Sequence, residues 1–328
     1  MRSKTRLRGV LALLSLLVAA VALAACGSDD GTSTEADSTA ASTDNLIQDN
    51  PDNNGVKLTI GSKNFTEQFI LGEIYAQALE AAGYDVSTDL NLGSEQVALK
   101  ALQNGDISGY PEYTSTALTS FFDTPPEDVP SDAQEAVDQA QPDFEKLGLT
   151  AFTPTPFADA NAVGLLTSTA DDLGVSTISD LEGKSQDLTL AGSPECRQRI
   201  DCLLGLEKDY GLQFKSFTPV DIGLRYQVLD KGQADLSILF TSDAQLANTN
   251  KYTLLKDDKN VLTPGYPMWI TTKKVVQQAG PDYAKTIEAV NKDLDLKTIR
   301  ELNARVDIDK QSPASVASEY LKSAGFIK

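Results

Sequence analysis

Gly61-Ser62-Lys63-Asn64-Phe65-Thr66-Glu67-Gln68-Phe69-Ile70-Leu71-Gly72-Glu73 follows the alternating apolar residues Val56, Leu58 and Ile60. It leads into a helical spacing of Phe69, Ile70, Ile74, Leu79 and Ala82. A period of two giving way to a period of 3.6 across a Gly-Ser pair predicts a strand, a tight turn and a helix capped near Thr66. The first turn of a helix leaves backbone N–H groups without partners, and Lys63 beside them suits the corner to a small anion such as a carboxylate. Any strand-to-helix corner needs a glycine-rich turn and a cap, so this one gains its meaning from the rest of the chain.

Outward from this corner, strands and helices alternate. Strands are expected at 56–60, 84–91 and 107–110, with helices at 66–82, 94–103, 112–122 and 131–147. After Thr153-Pro154-Thr155-Pro156 a second unit begins, with strands at 162–166, 188–191, 214–217 and 236–240. Helices are expected from 179, up to about Tyr210, and at 222–229. A return strand at 268–272 precedes some fifty helical residues. Such alternation predicts an α/β protein with parallel-rich sheets. Leu102-Gln103-Asn104-Gly105-Asp106-Ile107-Ser108-Gly109-Tyr110 is echoed by the segment from Leu229 through Gly232 and Asp235 to Phe240. Each has a helix end, a glycine cap, an aspartate and an apolar strand ending in an aromatic ring. Two lobes with matching corners would point strand carboxyl ends at each other, where open α/β sheets hold ligands; chance similarity of two corners is the alternative.

The chain opens with Arg2, Lys4, Arg6 and Arg8, then a short apolar stretch ending in Leu23-Ala24-Ala25-Cys26-Gly27. This pattern describes a secretory signal, and Cys26 after Leu-Ala-Ala resembles a bacterial lipobox. Residues 1–25 are accordingly expected to be a cleaved signal peptide and Cys26 a lipidation site. Residues 26–55, rich in Ser, Thr, Asp and Ala, are expected to be a disordered acidic stalk. The protein would sit outside the cytoplasm, lipid-anchored to the outer face of the bacterial cytoplasmic membrane.

The whole chain carries a net charge of −19. Dropping the four basic leader residues leaves 24 bases against 47 acids, a net of −23. Such a balance argues against nucleic-acid partners and adhesion to anionic lipid. Beyond Cys26 only Cys196 and Cys202 remain, and outside the cytoplasm so close a pair is most simply a disulfide, with metal binding as the alternative. The chain has no histidine, which removes His-based triads, His general bases and most zinc sites. Gly183-Lys184-Ser185 lacks the first glycine of a phosphate loop, since Ile178 stands there. An enzyme is not expected, nor a cofactor or a metal.

Gly61-Ser62-Lys63-x-Phe65-Thr66-Glu67-Gln68 and Tyr110-Pro111-Glu112-Tyr113-Thr114-Ser115-Thr116 resemble the glycine betaine/choline/carnitine/proline-binding lipoproteins of osmoprotectant ABC importers. So do Glu195-x-x-x-Arg199-x-Asp201-x-x-x-Gly205-Leu206 with Tyr210-Gly211, and Phe240-Thr241-Ser242-Asp243. The resemblance spans residues 57 to 325. It implies a type II periplasmic-binding-protein fold, with two α/β lobes joined by a two-segment hinge and the ligand in the cleft. The first lobe would comprise 56–156 and a return segment 265–328, and the second 157–264.

By the same resemblance Lys63, Thr116 and Arg199 would hold a carboxylate. Tyr113 and the backbone carbonyl of Asp159 would face a quaternary ammonium. The other three cage tyrosines fall at Asn161, Phe240 and Pro264, with Tyr266 and Trp269 near the last. Asn161 has no ring and Phe240 no hydroxyl, so the solute is either a glycine betaine-like zwitterion or another amino-acid-like or polar solute. The protein would act as a monomer, closing on its solute and delivering it to permease and ATPase subunits. A non-transport, ligand-sensing lipoprotein is the rival from another class.

Overall fold

Leu58 and Ile60 are buried on strand β1 (Lys57–Gly61), and the chain passes through Ser62–Phe65 into the helix Thr66–Ala81. The computed structural model describes residues 45–248 and 250–328; the expected signal peptide, Cys26 and most of the stalk lie outside them. The further strands are β2 (Asp85–Asp89), β3 (Gly109–Tyr113), β4 (Leu149–Ala151), β5 (Asn161–Leu166) and β6 (Thr189–Gly192). They are followed by β7 (Ser216–Pro219), β8 (Leu236–Phe240), β9 (Tyr252–Leu254) and β10 (Pro267–Thr272).

Among the described residues, ten strands form two five-stranded sheets, ordered β2-β1-β3-β10-β4 and β7-β6-β8-β5-β9. The two share a plan. In the first, β1 pairs parallel with β2 and β3, and β10 runs antiparallel between β3 and β4. In the second, β6 pairs parallel with β7 and β8, and β5 runs antiparallel between β8 and β9. Gly105 and Gly232, both at positive φ, end the helices that precede β3 and β8, so the echo in the sequence is an echo in the topology. Tyr113 and Phe240 occupy the same place in it, the last residue of the third strand of each sheet.

Among the described residues two segments join the sheets: residues 152–160, between β4 and β5, and residues 255–266, between β9 and β10. They are tied to each other where Asp159 N–H donates to Gly265 O and Gly265 N–H donates to Asp159 O. Gly265 permits this crossing because a Cβ there would meet Ser115 Oγ at 2.3 Å.

The core follows the same division. Ile70, Ile74, Leu79 and Trp269 pack with the carboxyl-terminal helices over one face of the first sheet, and Leu102, Phe144 and Ile270 fill the other. Val163, Leu190, Leu206 and Ile238 centre the second lobe.

Two expectations are corrected, and two strands were not anticipated. Residues 45–55 are not part of a free stalk: Ile47 N–H donates to Phe326 O, and buried Asn53 donates to Ala82 O. The helix expected at 112–122 begins later. Pro111, Glu112 and Tyr113 pair with β10, and a short helical turn (Thr114–Thr116) and a π-helical turn (Ala117–Phe121) follow. Strands β4 and β9, three residues each, had no expected counterpart because segments so short carry no readable period.

Candidate solute-binding site

In both sheets the parallel strands end on the same hollow. Lys63 and Phe65 follow β1 and Tyr113 ends β3. From the other lobe, Arg199 follows β6 and Phe240 ends β8. The carboxyl ends of parallel strands carry side chains free of sheet pairing, so the fold converges its polar groups there. Seven of the eight expected contacts line this one cavity: Lys63, Tyr113, Thr116, Asp159, Asn161, Arg199 and Phe240.

Tyr266 does not. Its hydroxyl donates to Ser131 O at 2.8 Å and its backbone N–H to Thr114 Oγ1, which place the ring on the flank of the first lobe. Trp269 is wholly buried and donates its indole N–H to Tyr283, inside the core of that lobe.

Arg199 bridges the lobes. Its Nε and Nη2 form a fork on Asp201, Nη2 also donates to Thr116 Oγ1 at 3.3 Å, and Nη1 lies 3.8 Å from Glu95. Burial works against the guanidinium charge, but Asp201, Glu95 and Glu112 outweigh it and hold the group above its ordinary range. Cys196 and Cys202 are joined by a disulfide, and the short loop they close contains both Arg199 and Asp201. Asn161, at the position expected to carry a ring, instead donates to Asp201 O at 3.0 Å and steadies that loop.

Lys63 is less free than its corner implied. Its ammonium pairs with Glu112, which is 0% exposed and also accepts from Tyr110 Oη and Tyr113 N–H. The Lys63 backbone N–H is capped by Gln68. The ammonium lies 4.6 Å from the centre of the Tyr113 ring, so the protein's own cation sits against a ring expected to face the solute.

Two residues were missed. Phe65 packs 5.1 Å from Phe240 and 6.2 Å from Tyr113, linking rings of both lobes; its place in the Gly-Ser-Lys-x-Phe segment was the available signal. Arg225 stacks with its guanidinium carbon 3.9 Å from the Phe240 ring centre, held by Asp243 and Ile222 O, and nothing in its local sequence announces it. The carbonyl of Asp159, expected to face an ammonium, accepts from Gly265 N–H.

A family model described as the substrate-binding domain of ABC-type glycine betaine transport systems matches residues 56–323. The chain belongs to that family. A glycine-betaine-binding protein of Pseudomonas aeruginosa is 34% identical over 277 residues, covering 81% of this chain and 87% of the relative. An ergothioneine transport permease/binding protein of Helicobacter pylori is 28% identical over 284 residues, or 86% of this chain. The chain spans only about half of that second protein, 49% of its length. A solved glycine betaine/carnitine/choline ABC transporter structure, 29% identical, superposes with a TM-score of 0.62 over 81% of this chain and 97% of that one. Members of this ABC glycine betaine family are substrate-binding proteins of importers, working outside the cytoplasm with permease and ATPase subunits, and not enzymes. Among the described residues no helix is long and apolar enough to cross a membrane.

Proposed function

We propose that this protein captures a small zwitterion of the glycine betaine type, with the solute's carboxylate at Arg199 and Thr116 and its methylated ammonium beside Phe65, Tyr113 and Phe240. The observation that carries this reading is the convergence of Arg199 and the three rings from both lobes on one cavity. A guanidinium offers a carboxylate a fork of donors. A methylated ammonium has no strong hydrogen bond to give, and desolvated ring faces stabilise it by up to about 2 kcal/mol each. Because both lobes contribute contacts, a bound solute favours the shut arrangement by its differential affinity for it.

The loaded form is then the one a permease recognises. Lipid attachment through Cys26 would keep a monomeric receptor beside that permease. A larger or differently polar betaine is the second reading, favoured by Asn161 in place of a ring and by Arg225 on one face of Phe240.

Calorimetry with glycine betaine, carnitine, choline, ergothioneine and proline tests both readings. Saturable binding of a quaternary ammonium solute, weakened at least tenfold in Arg199→Met, is expected. Binding of proline or ordinary amino acids to the exclusion of every quaternary ammonium would overturn it.

A further inference from the structure

Asp159 sits where the two connecting segments cross, in the wall of the cavity and only 7% exposed. Its backbone carbonyl accepts from Gly265 N–H, and its side chain adds a carboxyl group to the same wall. Thr241 Oγ1 and Ser242 N–H donate to Oδ1 at 2.9 and 2.8 Å, while Oδ2 takes no hydrogen bond among the described residues.

The charges around it are already assigned. Lys63 is paired with Glu112, Arg199 with Asp201, and Arg225 with Asp243. Glu67, facing Asp159 from the first helix, accepts from Tyr113 and Asn303 and has no counter-ion among the described residues either, but it does not line this cavity. Glu195 also lines the cavity but is only half-buried. Asp159 is therefore the buried acid of the cavity wall without a counter-ion.

We infer that the Asp159 carboxylate is the counter-charge of the solute's quaternary ammonium, supplying by charge what Asn161 cannot supply with a ring. This rests on the betaine reading above. A fixed cation without N–H donors suits an oxygen that has no donor of its own, since the attraction needs proximity and low dielectric, not direction. Desolvation, helped by the nearby charges of Glu67 and Asp243, pushes the Asp159 carboxyl up to about 8. At pH 7 a cation arriving beside it draws the proton off.

The decisive comparison uses two probes, glycine betaine and 3,3-dimethylbutanoate, in which carbon replaces nitrogen and the carboxylate is kept. Calorimetry on Asp159→Asn is expected to lower glycine betaine affinity about 10- to 1000-fold and leave the carbon isostere unchanged or tighter, collapsing the ratio between them. Asp159→Ser, scored the same way, covers a failure of Asp159→Asn to fold.

In the wild type, calorimetry at pH 7 in buffers of different ionisation enthalpy should register proton release with glycine betaine and less with the isostere. A ratio preserved within about threefold in a folded variant, or equal proton release for the two probes, overturns the role of Asp159 alone. A wild type that binds no quaternary ammonium solute overturns the betaine reading itself.

Discussion

Replacing Glu112 by Gln keeps the shape of the side chain and removes the charge opposite Lys63. Glu112 is fully buried and Lys63 nearly so, so the lysine would be left as an uncompensated charge in a low-dielectric interior. Breaking one side of a buried ion pair in this way costs about 3–5 kcal/mol. At about 2.1 cal/mol/K per residue over a folded part of roughly 280 residues, each kcal/mol moves the melting temperature by about 1.7 °C, so Glu112→Gln should melt about 5–9 °C lower. The Gln amide oxygen still accepts from Tyr110 or Tyr113, so the loss isolates the charge. The partner variant Lys63→Met/Glu112→Gln removes both charges and should recover at least half of the loss. Calorimetric melting of the wild type, both single variants and the double variant gives the coupling directly. Melting of Glu112→Gln within about 2 °C of the wild type would refute the reasoning, as would a double variant losing the sum of the two singles. Lys63 would then be a ligand contact only loosely held by Glu112.

Other expectations concern pH, the disulfide and the aromatic wall. Asp159 is raised to about 8 and Glu67 is raised too, both chiefly by burial. The folded protein therefore keeps protons that the unfolded chain has released above about pH 4, and stability should fall as pH rises from about 4 to 8. Asp180, Asp230, Asp258 and Asp295 are lowered, so what they contribute is lost only as pH falls below about 4. A melting series from pH 5 to 8.5 should slope downward and flatten in Asp159→Asn; an equal slope in that variant would count against it. Reducing Cys196–Cys202 opens a loop of only a few residues, worth about 2 kcal/mol by loop closure, and frees the segment carrying Arg199. Solute affinity should drop together with stability, and unchanged affinity would show that Asp201 and Asn161 suffice to hold Arg199. Tyr266→Phe should leave binding within about twofold, while Phe65→Ala should weaken a quaternary ammonium solute roughly tenfold; the reverse order in calorimetry would displace the site.

The strand-to-helix corner at Gly61 was legible because a change of period is a local property, and β8 fell on residues 236–240 for the same reason. The misread segment at 112–122 has helical spacing, but the hydrogen bonds of Pro111–Tyr113 come from β10, more than 150 residues away. Pairings such as Lys63 with Glu112, and Arg225 with Phe240, depend on which strands become neighbours and leave no trace in spacing. The family motifs brought seven side chains to one hollow. They could not foresee that all three of its rings are already visited by the protein's own cations, Phe65 and Tyr113 by Lys63 and Phe240 by Arg225. Tyr266 was chosen for nearness in sequence to the missing ring at Pro264, and the chain turns its hydroxyl towards Ser131 instead.

The paired crossing at Asp159 and Gly265 has a mechanical consequence. Two segments tied to each other by reciprocal backbone bonds resist twisting independently, so a swing of one lobe would be shared by both crossings. A swing centred on this bridge would then be described largely by one angle. A permease reading the outer faces of the lobes would need to sense only that angle to tell a filled carrier from a vacant one.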